Sequence, residues 1–216
     1  MRPEVKSSYY SKNYFSGKHS SYILGYEMFD RQRTWKFQLD RILQHKSRGT
    51  LLDIGCAYGF FLKYASRYFK CYGFDVSGHA VSEARKIPGL NVRIMSIHDM
   101  KFRKKFDVIT AFDILEHIHS FDSALGTIKH AAKKGSVVVI QMPILTGHIL
   151  NKKWNFYDKS HVSMWGDDET SKKIGEKFDI IGKYYVTPLS FIGVWPFSYT
   201  KTRTPFTLSC MFICRN

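Results

Sequence analysis

Asp53, Gly55, Ala57 and Gly59 stand in the spacing D-x-G-x-A-x-G, between the apolar run Leu51-Leu52 and the aromatic start Phe60-Phe61. An acid that ends a strand and then runs through small residues into a helix is how a nucleotide-like ligand is seated. Gly55 and Gly59 permit torsions and close approaches that a side chain would block. About twenty residues later Asp75 closes a second short strand, and in βαβ sites an acid there accepts hydrogen bonds from ribose hydroxyls. A second group of reactive types follows the apolar stretch 106–112: Asp113, Glu116 and His117, in the order D-x-x-E-H, with His161 further along in Asp158-Lys159-Ser160-His161. Imidazoles titrate near neutrality and are candidates for general bases.

These residues need a frame that brings them together, and the chain alternates strand and helix patterns throughout. Apolar residues among charges predict a helix over 26–44. Strands are expected up to 54, up to 75, and over 91–95, 106–112, 136–142, 178–186 and 207–214. Helices are expected over 60–69, 77–86, 121–132 and 168–176, with Pro88-Gly89 ending the second. Val137-Val138-Val139-Ile140 has no polar face and reads as a strand buried on both sides. Such alternation implies a parallel sheet with right-handed crossovers, and ligands then bind beyond the carboxyl ends of its strands. Gly55, Asp75, Ser96 and Asp113 should converge there.

The spacing D-x-G-x-A-x-G departs from the dinucleotide pattern G-x-G-x-x-G, in which a pyrophosphate rests on a helix start. It resembles motif I of the class I S-adenosylmethionine-dependent methyltransferases. Asp75 matches their ribose-binding acid, and 106–118 is similar to their fourth strand with the D-x-L-E-H segment after it. At the level of element order the resemblance spans about 45–190. It implies an α/β, Rossmann-like sheet of seven strands, mostly parallel, with helices on both faces and the last strand antiparallel. It also implies S-adenosylmethionine as methyl donor and S-adenosylhomocysteine as product, held by Asp53, Gly55, Ala57, Gly59, Asp75, Ser96, Ile97 and Asp113. Ala57 replaces the usual middle glycine. Ser96 falls where many relatives carry an acid for the adenine amino group, so Ser96 and the Ile97 backbone are expected to serve instead, while Asp99 matches a loop-shaping position. Tyr58, Phe60 or Phe112 could face the sulfonium. His117 and His161 are the catalytic candidates, as bases. The D-x-x-E-H group also resembles the metal set of ubiquinone-pathway O-methyltransferases and of small-RNA 3′-end 2′-O-methyltransferases, which brings Mg²⁺ into view. No residue is assigned as a metal ligand from the sequence.

The 216 residues, 44% hydrophobic, suffice for one domain with modest additions. Residues 1–45, rich in tyrosine and serine at their start, are expected to form an arm and helix covering the cofactor site, and 46–216 the methyltransferase domain. A formal charge of +15 suits an anionic partner. The acceptor expected is a small or glycan-like molecule, with RNA as the alternative. A non-catalytic cofactor-binding protein is a reading of another class, and an NAD-linked enzyme is disfavoured by the first turn. No apolar run approaches a membrane span, no signal-peptide core is seen, and the four cysteines form no C-x-x-C pair. A cytoplasmic protein with reduced, buried thiols and no zinc is expected. The aromatic connection 188–205 is expected to wall the acceptor pocket, touch lipid or form a dimer contact, or else simply to pack over the sheet. Oligomeric state is left open.

Overall fold

A computed structural model of the chain describes residues 6–18, 26, 32–146, 160–188 and 197–216. In chain order its elements are α1 (Lys12–Phe15), α2 (Gln32–Leu43), β1 (Gly49–Ile54), α3 (Phe60–Ala65), β2 (Phe69–Asp75), α4 (Gly78–Ala84), β3 (Asn91–Ile94), β4 (Phe106–Phe112), α5 (Phe121–Ala131), β5 (Ala132–Pro143), α6 (Asp167–Gly175), β6 (Asp179–Pro188), β7 (Phe197–Thr200) and β8 (Ser209–Arg215). The strands form one sheet in the order β3-β2-β1-β4-β5-β8-β6-β7. β1 to β5 pair in parallel, whereas β8 runs antiparallel to both β5 and β6.

All seven expected strands form, with the last one reversed. The eighth, β7, is a correction to the expected count. It is a four-residue edge strand, antiparallel to β6, cut from the end of the aromatic connection. Its pattern, Phe197-Ser198-Tyr199-Thr200, is too short to stand out from a loop. Phe191, Ile192, Val194 and Trp195 lie outside the described residues. The first crossover helix is also shorter than expected. It stops at Ala65, and Phe69, read as its last residue, instead opens β2 opposite Gly49. Pairing with β1 and burial of the Phe69 ring override the local helical pattern.

The sheet divides two cores by the period-two alternation of its strands. Leu51, Val108, Val137, Val139, Met211 and Ile213 face α2, α3 and α4. Leu52, Ile109, Val138, Ile140 and Phe212 face α5, whose Phe121, Ala124, Leu125 and Ile128 recur at helical spacing. The four cysteines are buried and unpaired, and burial pushes the Cys71 and Cys214 thiols up to about 12. Among the described residues no helix is long and apolar enough to cross a membrane.

The α3 side packs closely because β2 carries Gly73. A Cβ there would lie 2.6 Å from Leu62 Cδ1 and 3.0 Å from both Cys56 Cβ and Sγ. Leu62 is fully buried and has little room to yield. Gly73→Ala is therefore expected to destabilise the fold by about 1–3 kcal/mol. Urea unfolding should show a lower midpoint at unchanged slope.

Candidate functional site

The chain leaves β1 through a turn whose torsions are left-handed at Gly55 (φ 71°), Ala57 (φ 44°) and Gly59 (φ 73°). The N–H groups of Gly55 and Cys56 both donate to the Phe74 carbonyl, at 2.9 and 3.0 Å, which ties the turn to β2. Ala57 sits where a side chain costs roughly 1–2 kcal/mol. Its N–H is held by Asp75 Oδ2 at 2.9 Å. The other carboxylate oxygen, Asp75 Oδ1, takes the Ser77 N–H at 2.8 Å. Asp75 is thus a buried acid that fixes the starts of two crossovers, and each of its oxygens keeps a second lone pair. Burial pushes its acidity up, and the bonds from the Ser77 and Ala57 amides oppose that shift.

A cavity of about 260 Å³ opens at this carboxyl edge of the sheet. Of the residues singled out from the sequence, Gly55, Ala57, Asp75, Ser96, Ile97, Asp113 and His117 lie on its lining. Ser96 Oγ accepts from the His98 N–H and caps the short 3-10 turn Ile97–Asp99. Asp113 is a non-glycine residue at φ 53°. Its N–H donates to the Gln141 carbonyl at 2.8 Å, and its carboxylate accepts from Gln141 Nε2 at 3.3 and 3.4 Å.

Asp53 and Gly59 are not on the lining. Asp53 lies beneath it, where Oδ1 accepts from Thr110 Oγ1 of β4 at 2.6 Å. Burial pushes Asp53 up to about 7; the Thr110 bond opposes this and Asp75 adds to it. Gly59 begins α3 against Leu90 and Ala84, with a Cβ there falling 2.9 Å from Leu90 Cδ1. Tyr58 and Phe60 also stay off the lining, packed with Tyr26 and Phe15 in an aromatic cluster; Phe112 alone of the three expected rings reaches it. From the arm, Ser7, Tyr10, Tyr14 and Phe15 line the cavity, and Ser77 Oγ donates to the Tyr10 carbonyl.

His117 reaches the cavity from the 3-10 turn Leu115–His117 and is held from behind by Ser160. Its Nδ1 lies 3.2 Å from the Ser160 carbonyl and 2.9 Å from Ser160 Oγ. A carbonyl can only accept, so Nδ1 carries the proton and Nε2 is the basic nitrogen. Glu116 Oε1 is 3.9 Å from that Nε2. The Glu116 carbonyl accepts from the N–H groups of Val162 and Ser163, which fastens the segment of His161 against it. The His161 ring stands 5.0 Å from that of His117, off the cavity lining. Asp158, the first residue of the D-x-x-H segment, lies outside the described residues.

Ligand atoms of Glu116, His117 and His161 fall within 4.8 Å of one another, close enough to hold a divalent cation. Asp113, the fourth member by resemblance, is not in that group and meets Gln141 instead. One carboxylate and two imidazoles suit Zn²⁺, Mn²⁺ or Fe²⁺ better than Mg²⁺, which prefers oxygen.

The sequence reading took α2 as scaffold, yet Trp35 and Gln38 also line the cavity. Gln38 Nε2 donates to Gln141 Oε1 at 3.0 Å and to Tyr199 Oη at 3.2 Å, and Tyr199 Oη donates to the same Gln141 oxygen at 2.9 Å. The signal was a glutamine three residues after a tryptophan on the face that also carries Leu39 and Ile42.

A parallel sheet with reversed final strand, a glycine turn after β1 and an acid ending β2 define the class I methyltransferase arrangement. The chain belongs to the methyltransferase-domain family, whose family model matches residues 29–178. It is 29% identical over 112 residues to 235L, a protein of Invertebrate iridescent virus 6 named as a methyltransferase, and 25% identical over 113 residues to a ubiquinone biosynthesis O-methyltransferase of Bradyrhizobium sp. (strain ORS 278). Each match covers 50% of this chain but 42% of the relative, so the chain matches less than half the length of either. In structure it is similar to the N-methyltransferase NodS of Bradyrhizobium japonicum WM9 in complex with S-adenosylhomocysteine, with TM-score 0.66, 15% identity, and 95% of this chain and 98% of that one covered. A SAM-dependent methyltransferase of Archaeoglobus fulgidus gives TM-score 0.70 at 14% identity, covering 94% and 98%.

Asp53 generates a test of the site's floor. Its acid, pushed up to about 7, keeps its proton in the folded chain over a range where the unfolded chain, at its ordinary value near 3.8, has lost it. Stability contributed by this group therefore falls as pH rises from about 4 to about 7. Asp53→Asn stays neutral and can still accept from Thr110. The variant should match the parent near pH 4 and exceed it by roughly 1–3 kcal/mol at pH 8, as read by urea unfolding across that range.

Proposed function

We propose that the chain is an S-adenosylmethionine-dependent methyltransferase that methylates an oxygen, in preference to a nitrogen, of a small or glycan-like acceptor. In this reading residues 46–216 form the transfer domain and residues 1–45 cover the cofactor. Asp75 holds the ribose hydroxyls with its second lone pairs, Ser96 and the Ile97 backbone meet the adenine, and Gly55, Ala57 and Asp113 line the path between. When bound, the cofactor supplies a methyl group already activated on a positive sulfur. The protein's task is then to align the acceptor and remove its proton.

The observation that carries this reading is His117, an imidazole on the cavity lining whose Nδ1 proton is engaged by Ser160. His117 Nε2 takes the hydroxyl proton as the acceptor oxygen gains the methyl, and the Glu116 carboxylate stabilises the imidazolium. His161 supports that ring from behind and relays the proton outward. The surplus of 33 Lys and Arg over 18 Asp and Glu favours an acceptor with negative charge. A cytoplasmic location belongs to the same reading, supported by four buried, unpaired thiols.

The cluster of Glu116, His117 and His161 favours a second reading, metal-assisted transfer, with an RNA 2′-hydroxyl among its acceptors. There the same residues would hold the cation and the acceptor oxygen would be oriented by it.

Asp75→Ala should weaken S-adenosylhomocysteine binding about a hundredfold in calorimetry, since it removes charge-assisted bonds worth roughly 1.5–3 kcal/mol each. Retained affinity would refute the pocket assignment. Methyl-labelled cofactor should first be screened against acidic sugars, phenols and short RNAs. On the best acceptor, His117→Ala should lower kcat about 10²- to 10⁴-fold while leaving cofactor affinity within about twofold. A base needs no metal, so chelation should leave the parent rate unchanged. A rate lost to chelator and restored by Mn²⁺ or Zn²⁺ would select the metal-assisted reading, and an unchanged rate in His117→Ala would reject both.

A further inference from the structure

Two buried polar atoms on cavity-lining residues have no hydrogen-bond partner, Trp35 Nε1 and Gln38 Oε1. Trp35 is 6% exposed and Gln38 is 1% exposed, so bulk water does not serve them. A buried donor and a buried acceptor left unmade are each destabilising, and a fold retains them where a ligand or an ordered water completes them.

The orientation of the Gln38 amide follows from its neighbours. The Asp113 carboxylate can only accept, so Gln141 must turn its Nε2 toward it. That leaves Gln141 Oε1 to accept from Gln38 Nε2 and from Tyr199 Oη. The oxygen of Gln38 is the end left over. Three residues earlier on the same face of α2, Trp35 offers a donor and nothing else. The subsite therefore presents an acceptor and a donor side by side, with a carboxylate one amide away.

Its place along the sheet edge identifies the ligand group. The strand ends run in the order β3, β2, β1, β4, β5 and carry Ser96, Asp75, Gly55, Asp113 and Gln141 respectively. A ligand with its ribose on β2 and its base over β3 extends the other way, past β1 toward β4 and β5. Strands are spaced about 4.8 Å apart, so that far end lies roughly 10–14 Å from the ribose acid. Gln38 is bonded to Gln141 of β5. Trp35 packs at 6.1 Å on Phe61, which packs at 5.0 Å on Phe112 at the end of β4. We propose that Trp35 and Gln38 are the receptor for the zwitterionic amino-acid end of S-adenosylmethionine, Trp35 Nε1–H donating to its carboxylate and Gln38 Oε1 accepting from its ammonium. This rests on the cofactor reading above and adds two residues and a selectivity to it. Tyr199 of β7 is a positioning residue, since it fixes the amide of Gln38.

The test compares S-adenosylhomocysteine with 5′-methylthioadenosine, which shares the nucleoside and sulfur but lacks the amino acid. Calorimetry should show the parent binding both, the first more tightly. Trp35→Phe keeps the ring and deletes the donor, and Gln38→Leu deletes the acceptor. Each should weaken S-adenosylhomocysteine about tenfold or more and change methylthioadenosine less than about twofold. The unliganded Trp35→Phe protein should unfold at no lower a urea concentration than the parent, because it loses an unsatisfied donor. Equal weakening of both ligands, or unchanged affinity for S-adenosylhomocysteine, would overturn the assignment. A parent that binds neither ligand would instead overturn the cofactor reading and this inference with it.

Discussion

The carboxylate of Asp75 is the constraint on which the site depends. Its two oxygens hold backbone amides from different crossovers, Ala57 after β1 and Ser77 after β2. Ser77 then does two further things: its hydroxyl accepts from the Ala80 N–H to cap α4, and donates to the Tyr10 carbonyl. One acid at a strand end thereby fixes the glycine turn, the next helix and the arm over the cavity. It also keeps Ala57 in a left-handed conformation where its relatives carry glycine. The strain is local, and the amide bond to a buried carboxylate is of the size needed to offset it.

The other half of the cavity is built on different terms. Asp113 is again left-handed without being glycine, and it is held through its backbone and its side chain by the same residue, Gln141. Gln141 is the midpoint of a chain of amides and a phenol that runs from β4 across β5 to α2 and to β7. The extra edge strand thus has a consequence at the site: Tyr199 stacks at 4.2 Å on Phe37 of α2 and bonds both Gln38 and Gln141. One half is organised by a carboxylate gripping backbone, the other by side chains gripping each other.

That difference explains which residues were legible in the sequence. Asp75, Gly55 and Asp113 act at fixed distances from strand ends, and the period-two and helical patterns locate those ends to within a few residues. Ser96, Ile97 and His117 follow for the same reason. Asp53 was placed with them because it shares the turn, but a strand's alternation sends alternate side chains to opposite faces, and its carboxylate is spent on Thr110 below the cavity floor. Gly59 serves helix packing, which has no signature distinct from ligand approach. Trp35, Gln38 and Tyr199 were not legible at all as site residues. Their roles exist only through contacts separated by a hundred residues or more, and nothing in a helical pattern tells a buried glutamine from a solvated one.

Charge is distributed in a way that composition alone would mislead about. The chain carries a formal +15, yet among the described residues lining the cavity there is no lysine or arginine, and its acids are Asp75 and Asp113. Net and local fields therefore have opposite sign. At physiological salt the surface charges are screened beyond about 8 Å, whereas the buried acids are screened much less. The surface can gather anions while the cavity itself favours a cation. Such a cavity holds a sulfonium more strongly than the neutral thioether that remains once the methyl has left. The same two acids that seat the cofactor thus favour exchange of the spent form for a fresh one, and no moving part is needed for that preference.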